Sequence, residues 1–245
     1  MRRLPGAEGA GTMNLFAWAL AGFVLIHIGI SATGVRRQLV GAIGEWPYRG
    51  LFSLASAALL AAMIIGFGQM RADPFDPLNA SLWAPPDWLR WVAYVLVLLG
   101  LTLAFTGLFT PGPTTAGFEK SLAKPEPARG VLRITRHPFL WGVALWGLGH
   151  TLVNGERFAV MLFGGLALMA VFGARSIDRK GAARDPEGWE KFADVTSNLP
   201  FAAIAQGRNR LAIGEIGWRG LLALAIAVAI GVFHRQLFGA AAFST

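Results

Sequence analysis

The chain has 245 residues, 54% of them hydrophobic and only 15% charged, with a mean hydropathy of +0.51. That balance points to a membrane protein rather than a large soluble core. The net charge of +8 is divided among loops between apolar runs, so it is read as topology and lipid contact, and no nucleic acid is expected as a partner. Cysteine is absent, which removes disulfides, zinc–thiolate sites, iron–sulfur clusters and thiolate-linked haem.

Six apolar runs are long enough to cross or nearly cross a bilayer, at about 14–32, 51–69, 90–109, 138–154, 157–174 and 216–238. They predict an all-α fold, a polytopic transmembrane helical bundle of about six spans, forming one integral-membrane domain over residues 1–245. The first run is of full span length, so a retained span is expected rather than a cleaved signal peptide, and Met13 offers an alternative start. The stretch GVRRQLVGAIGEWPYRG that follows reads as a tight basic connection. After the second run, Trp83, Trp88 and Trp91 lie in and beside a proline-rich loop and suit an interfacial aromatic belt. The loop TPGPTTAGFEKSLAKPEPARG is too rich in proline and glycine to be helical throughout. The fourth run opens at Pro138 and is short and glycine-interrupted, so it is tilted or forms a tight hairpin with the fifth. In the long loop 175–215, PEGWEKFAD reads as a surface helix whose Trp189 and Phe192 share a face against lipid or the bundle.

If all six runs span, the loops 33–50, 110–137 and 175–215, with Arg219, carry 16 of the 22 Lys and Arg residues. The positive-inside rule then sets those loops in the cytoplasm and both termini outside, as in a multi-pass protein of a bacterial inner membrane.

The chain has four histidines. His27 lies in the first run, His150 in the fourth, His234 near the outer end of the sixth, and His137 at the cytoplasmic lip of the fourth. An imidazole at bilayer depth is expensive and marks function, so His27 and His150 stand first. With no thiolate present, two buried imidazoles from two helices suggest haem b. His137 and His150 are thirteen residues apart. On one helix that spacing means about 20 Å in height and nearly opposite faces, so these two cannot share an iron. By depth, His150 matches His234 and His27 matches His137. A zinc hydrolase is disfavoured, because no HExxH motif is present and acidic residues are missing from the apolar cores. A nucleophilic triad lacks a carboxylate at membrane depth to orient a histidine.

Three segments in order, HIGISATGVRRQLVGAIGEWPYRGLFSL, RGVLRITRHPFLWGVALWGLGHTLVNGE and EGWEKFADVTSNLPFAAI, resemble the NnrU family of membrane proteins, which includes the 15-cis-zeta-carotene isomerase branch. The resemblance implies haem b with His27 and His150 as axial ligands, and His234 stands as the alternative ligand. It places Arg136 and His137 in the RHP motif at the site edge, where arginine's fork suits haem propionates. Trp141 and Trp146 would line the pocket. The implied activities are a role in nitric oxide and denitrification-linked metabolism, with a respiratory or denitrification complex as partner, or haem-dependent isomerisation of a lipophilic polyene. The chain departs from the isomerase branch at Ile28, where that branch tends to have serine, and at Met169 and Ala170, which stand where it has a histidine pair.

The RHP-x-x-x-G pattern is also similar to the cofactor motif of membrane methyltransferases related to isoprenylcysteine carboxyl methyltransferase. On that alternative Arg136, His137 and Gly142 would hold S-adenosylmethionine, although those enzymes carry an acidic pair where this chain has Asp178 alone among basic neighbours. A cofactor-free membrane assembly or interaction protein is the remaining alternative.

Overall fold

The computed structural model describes residues 7–31, 33–124, 126–240 and 242, with side chains from Leu15 onward. The chain ends, whose placement outside the cytoplasm was expected, fall outside these residues. Regular structure among the described residues is helical apart from one isolated bridge, Ser81 to Glu156. Helix α1 (Ala7–Val24) runs into a π-helical turn (Leu25–Ile30), and α2 (Val35–Ile43) leaves at an 85° bend. Then come α3 (Glu45–Ala72), α4 (Asp87–Phe109), α5 (Pro138–Val153) and α6 (Arg157–Arg184). The chain closes with α7 (Pro186–Asp194), α8 (Ile213–Val232) and α9 (His234–Phe238).

Four of these, α3, α4, α6 and α8, are long and apolar enough to cross a membrane, and the bent α1–α2 pair makes a fifth if it is one span. Helix α5, at 16 residues, is shorter than a full span. The six-span expectation therefore resolves into four full spans, one bent pair and one short apolar helix.

Three boundaries differ from the sequence expectation, each for a local reason. Helix α3 starts at Glu45 because that carboxylate stabilises the helix start and accepts from Arg49 one turn on and from Arg36, both at 2.7 Å. Helix α6 continues to Arg184 because nothing in RSIDRKGAAR breaks it. Asp185 then accepts from the Gly188 amide at 3.0 Å and caps α7, with Pro186 in its first turn. The last apolar run breaks at Phe233 (φ −92°, ψ 14°), which leaves His234 beyond the spanning helix.

The chain divides into two compact units, residues up to Pro85 with Asn154–Gly165, and Pro86–Val153 with the residues from Leu166 on. In the first, α1 meets α3 where Gly66 lies against the backbone of fully buried Phe16; a Cβ there would come within 2.9 Å of the Phe16 Cα. Around Phe16, the rings of Phe67 and Phe158 pack at 4.8 Å and those of Phe67 and Phe163 at 5.7 Å, edge to face. The Asn79 amide closes α3 by donating to Met70 O at 3.1 Å and Asp73 O at 2.9 Å.

In the second unit, α4 and α5 pack backbone to backbone. A Cβ on Gly142 would sit 2.5 Å from Gly100 O and 2.6 Å from Ala104 N, and one on Gly107 2.8 Å from Pro138 Cγ. Small residues permit that approach, as they do between membrane helices generally. The seam holds the short α5 in register, and the two ends of α5 carry the histidines of interest. Against this unit's loop side α7 buries Trp189 and Phe192, with Ala128 beside them, so the expected shared face exists and is turned inward.

Candidate functional site

The residues ahead of α5 are stitched to the loop after α7. The Arg136 amide donates to Ser197 O at 3.0 Å and the Thr135 hydroxyl to Asn198 O at 2.6 Å. The Phe201 amide donates to Ile134 O at 2.8 Å, and the Thr114 hydroxyl donates to Arg136 O. The sequence motifs RHP and DVTSNLPF, far apart in the chain, are thus one structural piece.

Asp178, on α6, sits at its centre. Its carboxylate receives His137 Nε2 at 2.6 Å, Arg136 Nε at 3.1 Å and Asn198 Nδ2 at 2.8 Å. Asn198 in turn accepts from Trp141 Nε1 at 3.2 Å. The guanidinium of Arg136 also lies 5.6 Å from the Trp189 ring centre and donates to Thr196 Oγ1 at 3.3 Å. His137 is 3% exposed, so its ring is buried with a carboxylate for partner. Close by, Arg133 makes a two-pronged pair with Glu215, both contacts at 2.8 Å, and the Gly130 amide donates to the same carboxylate at 2.8 Å. Glu215's hydrogen bond holds the Arg133 guanidinium above its ordinary pKa. Gly130 adopts φ +58°, and a Cβ there would crowd Glu215 O at 3.3 Å, so this pairing needs glycine.

At the other end of α5, His150 Nδ1 donates to Trp146 O one turn back at 2.9 Å. Beyond the break after α8, His234 Nδ1 donates to Ala240 O at 2.6 Å. The two imidazole centres are 6.4 Å apart with planes 27° from parallel. Trp146 flanks the His150 ring at 4.8 Å and Phe238 the His234 ring at 4.9 Å. A carbonyl only accepts, so both Nδ1 atoms carry a proton.

His27 belongs to the first unit and lies in its π-helical turn. Its Nδ1 donates to Phe23 O at 2.8 Å, its ring stacks on Phe23 at 4.2 Å and meets Phe52 edge-on at 5.0 Å. Next to Phe52, Tyr48 buries a hydroxyl with no hydrogen-bond partner.

Of the expected site residues, Arg136 is joined to His137 through Asp178, and His150 is set beside His234. Sequence reasoning missed the role of Asp178 and Asn198. The expectation that no carboxylate orients a histidine concerned membrane depth; at the lip, past the apolar run, Asp178 does orient one. The signal was available: Asp178 is the sole acidic residue between Arg157 and Asp185, and on an unbroken helix it lies just past the apolar run. No group of three or more His, Asp or Glu side chains that could hold a metal ion exists among the described residues.

An all-α bundle with membrane-length helices, a buried polar lock at one end of a short helix and an imidazole pair at the other defines a polytopic helical membrane protein. The chain matches the NnrU protein family over residues 15–242 and belongs to that family. It is 32% identical over 194 residues to the chloroplastic 15-cis-zeta-carotene isomerase of Zea mays. It is 33% identical over 195 residues to that of Arabidopsis thaliana. Each alignment covers 77% of this chain and 50% of the relative, so the chain spans about half the length of the curated relatives it matches. No solved structure matches.

Proposed function

We propose that this chain is a haem b protein of the membrane that isomerises a cis double bond in a lipophilic polyene. The observation that carries the reading is the similarity to two zeta-carotene isomerases across 77% of the chain. Isomerisation moves no atom between molecules and needs no net electron transfer, so it suits a membrane bundle without a nucleophilic triad.

The donor set fits haem b. His150 offers an imidazole whose tautomer is set by a backbone carbonyl, the usual orienting shell of a metal-ligating histidine. Bound there, haem would supply an iron centre able to lower the bond order of a polyene double bond held beside it. The chain's own part is positional. Trp146, bonded to His150 through its carbonyl and flanking its ring, supplies an apolar wall. Asp178 fixes Arg136 and His137 and so ties the residues ahead of α5 to α6, while the glycine seam with α4 holds α5 itself. Lipid is the medium through which so apolar a substrate arrives, and the basic loops suit the anionic cytoplasmic face of an inner membrane.

Methyl transfer has less support, because the Arg136–His137 pair that would hold S-adenosylmethionine is engaged by Asp178. The nitric oxide-linked and assembly roles have no comparable observation behind them.

The test is isomerisation in darkness, which removes photochemistry. The chain is expressed with added haem precursor in a host that accumulates a cis-polyene, and the isomers are separated by chromatography. Conversion to the trans isomer that is lost in His150→Ala is expected. An unchanged cis pool, with the haem-loaded protein present in the membrane, would overturn the proposal.

A further inference from the structure

We propose that a cleft on the loop side of the second unit binds a small zwitterion, a phosphate joined to an ammonium, as in the headgroup of an aminophospholipid. The cleft uses none of the four histidines.

Three segments form it, all within the second unit. The last turn of α6 supplies Arg184, the cap of α7 supplies Asp185, and the 3-10 turn Glu119–Ala123 supplies Lys120. The indole of Trp189, 8% exposed, gives an apolar wall, with Leu122 packed beside it. Gly181 makes room for that ring, since a Cβ there would come within 2.3 Å of it.

The lining carries both signs. Lys120 and Arg184 make no hydrogen bond or ion pair with any described residue. Other cations of this region are met: Lys191 by Glu187 at 2.7 Å, Arg133 by Glu215 and Arg136 by Asp178. Two unmatched cations at one opening suit an anion with several oxygens, which arginine's fork can take in a bidentate manner. The carboxylates oppose a bare anion. Asp185 gives one oxygen to the Gly188 amide at 3.0 Å and has lone pairs to spare on the other, and Glu119 lines the same cleft. Two cations with two carboxylates are neutral in sum, and a ligand neutral in sum matches them. Its phosphate would meet Lys120 and Arg184, and its ammonium Asp185 and the Trp189 ring.

Size and depth narrow the ligand further. The cavity holds about 200 Å³. Pockets that enclose a drug-sized molecule run to about 300–1,000 Å³, so this one takes a headgroup and leaves acyl chains or a polyene outside. Gly181 lies about seven residues past Ala174, where the apolar run of α6 ends, or roughly 10 Å along the helix axis. That is the level of headgroups, beyond the hydrocarbon. The same chemistry has two sources, a membrane aminophospholipid and a soluble aminoalkyl phosphate.

The experiment uses the full chain in detergent. Bound lipid is counted by native mass spectrometry after addition of phosphatidylethanolamine or phosphatidylglycerol, with soluble phosphoethanolamine as competitor. Wild type should take up phosphatidylethanolamine in preference, and excess phosphoethanolamine should displace it. The double variant Lys120→Met, Arg184→Met, changed at two exposed positions, should lose about tenfold or more in affinity, the worth of a hydrogen bond to a charged group. Asp185→Asn keeps the cap of α7, because asparagine caps as well as aspartate, and should reduce the preference for the ethanolamine headgroup. Phosphoethanolamine bound without uptake of either lipid supports the site and assigns it the soluble source. Unchanged affinity in the double variant overturns the site. Equal or stronger uptake of phosphatidylglycerol by wild type overturns the zwitterion, and uptake of none of the three probes overturns the proposal outright.

Discussion

Helix α5 has a histidine at each end, and the two are held in opposite ways. His137, just before the helix, gives Nε2 to the Asp178 carboxylate at 2.6 Å in a network that also uses Arg136 and Asn198. His150, in the last turn, gives Nδ1 to the backbone carbonyl of Trp146 at 2.9 Å. The first ring is tied to a carboxylate that it shares with Arg136 and Asn198, and the second to a carbonyl of its own helix. The helix between them is too short to span by itself, yet it sets both ends through the glycine seam with α4.

The largest effect should come from breaking the scaffold end. Asp178→Ala strands three donors, one of them on a ring that is 3% exposed. Removing one partner of so buried a cluster costs about 3 kcal/mol. The loss should appear as a lower unfolding midpoint in detergent. Haem bound per folded molecule should stay constant, and a fall in that ratio would show the two ends to be one site.

The next effect concerns the seam. Gly142→Ala drives a methyl toward Gly100 O and Ala104 N, which should cost about 1–3 kcal/mol as overpacking. Because α5 must move to relieve it, this variant should disturb both ends, lowering the midpoint and broadening any haem spectrum together. A variant with wild-type behaviour in both measurements would mean that α4 does not set the height of His150.

How much of this could be read from the chain alone differs between the ends. The periodicity and glycine content of the fourth run reveal a short apolar helix, and helical spacing separates His137 from His150 without any structure. The partners were not legible, because they come from remote segments. Asp178 is 41 residues from His137, and Asn198 is 57 from Trp141. Only a helix running past its apolar stretch brings the first into place, and only a loop knitted to residues 134–136 brings the second. The start of α3 was misplaced for a related reason: Glu45 extends the helix through its ion pairs before the apolar run begins. His234 was read as the end of a span, but the break at Phe233 places it on a separate turn.

A smaller effect separates the two histidines directly. His137→Phe keeps the ring and removes one donor to Asp178, which retains Arg136 and Asn198. The expected cost is about 1–2 kcal/mol, the usual worth of a hydrogen bond to a charged group, with the iron spectrum unchanged. If haem is bound as proposed, His150→Gln should do the reverse, leaving the unfolding midpoint of the haem-free protein nearly as it was while removing the haem. Equal behaviour of the two variants in both measurements would erase the distinction between scaffold and ligand.

The smallest effect tests the lip from the side of strain. Phe201 is the one non-glycine residue with positive φ among those described, at +63°. Its amide must nevertheless reach Ile134 O at 2.8 Å to hold the loop against the start of α5. The left-handed conformation costs an ordinary residue roughly 1–2 kcal/mol that glycine avoids. Glycine gives back part of this through its looser unfolded chain. The Phe201 side chain is 51% exposed, so little burial is lost with it. Phe201→Gly should therefore raise the unfolding midpoint by a degree or two, corresponding to about 0.5 kcal/mol. It should not alter the iron spectrum, because it relaxes only the scaffold end. A lowered midpoint would mean that the exposed ring contributes more than the strain costs, and that the loop is held by Phe201 itself rather than by its backbone bond.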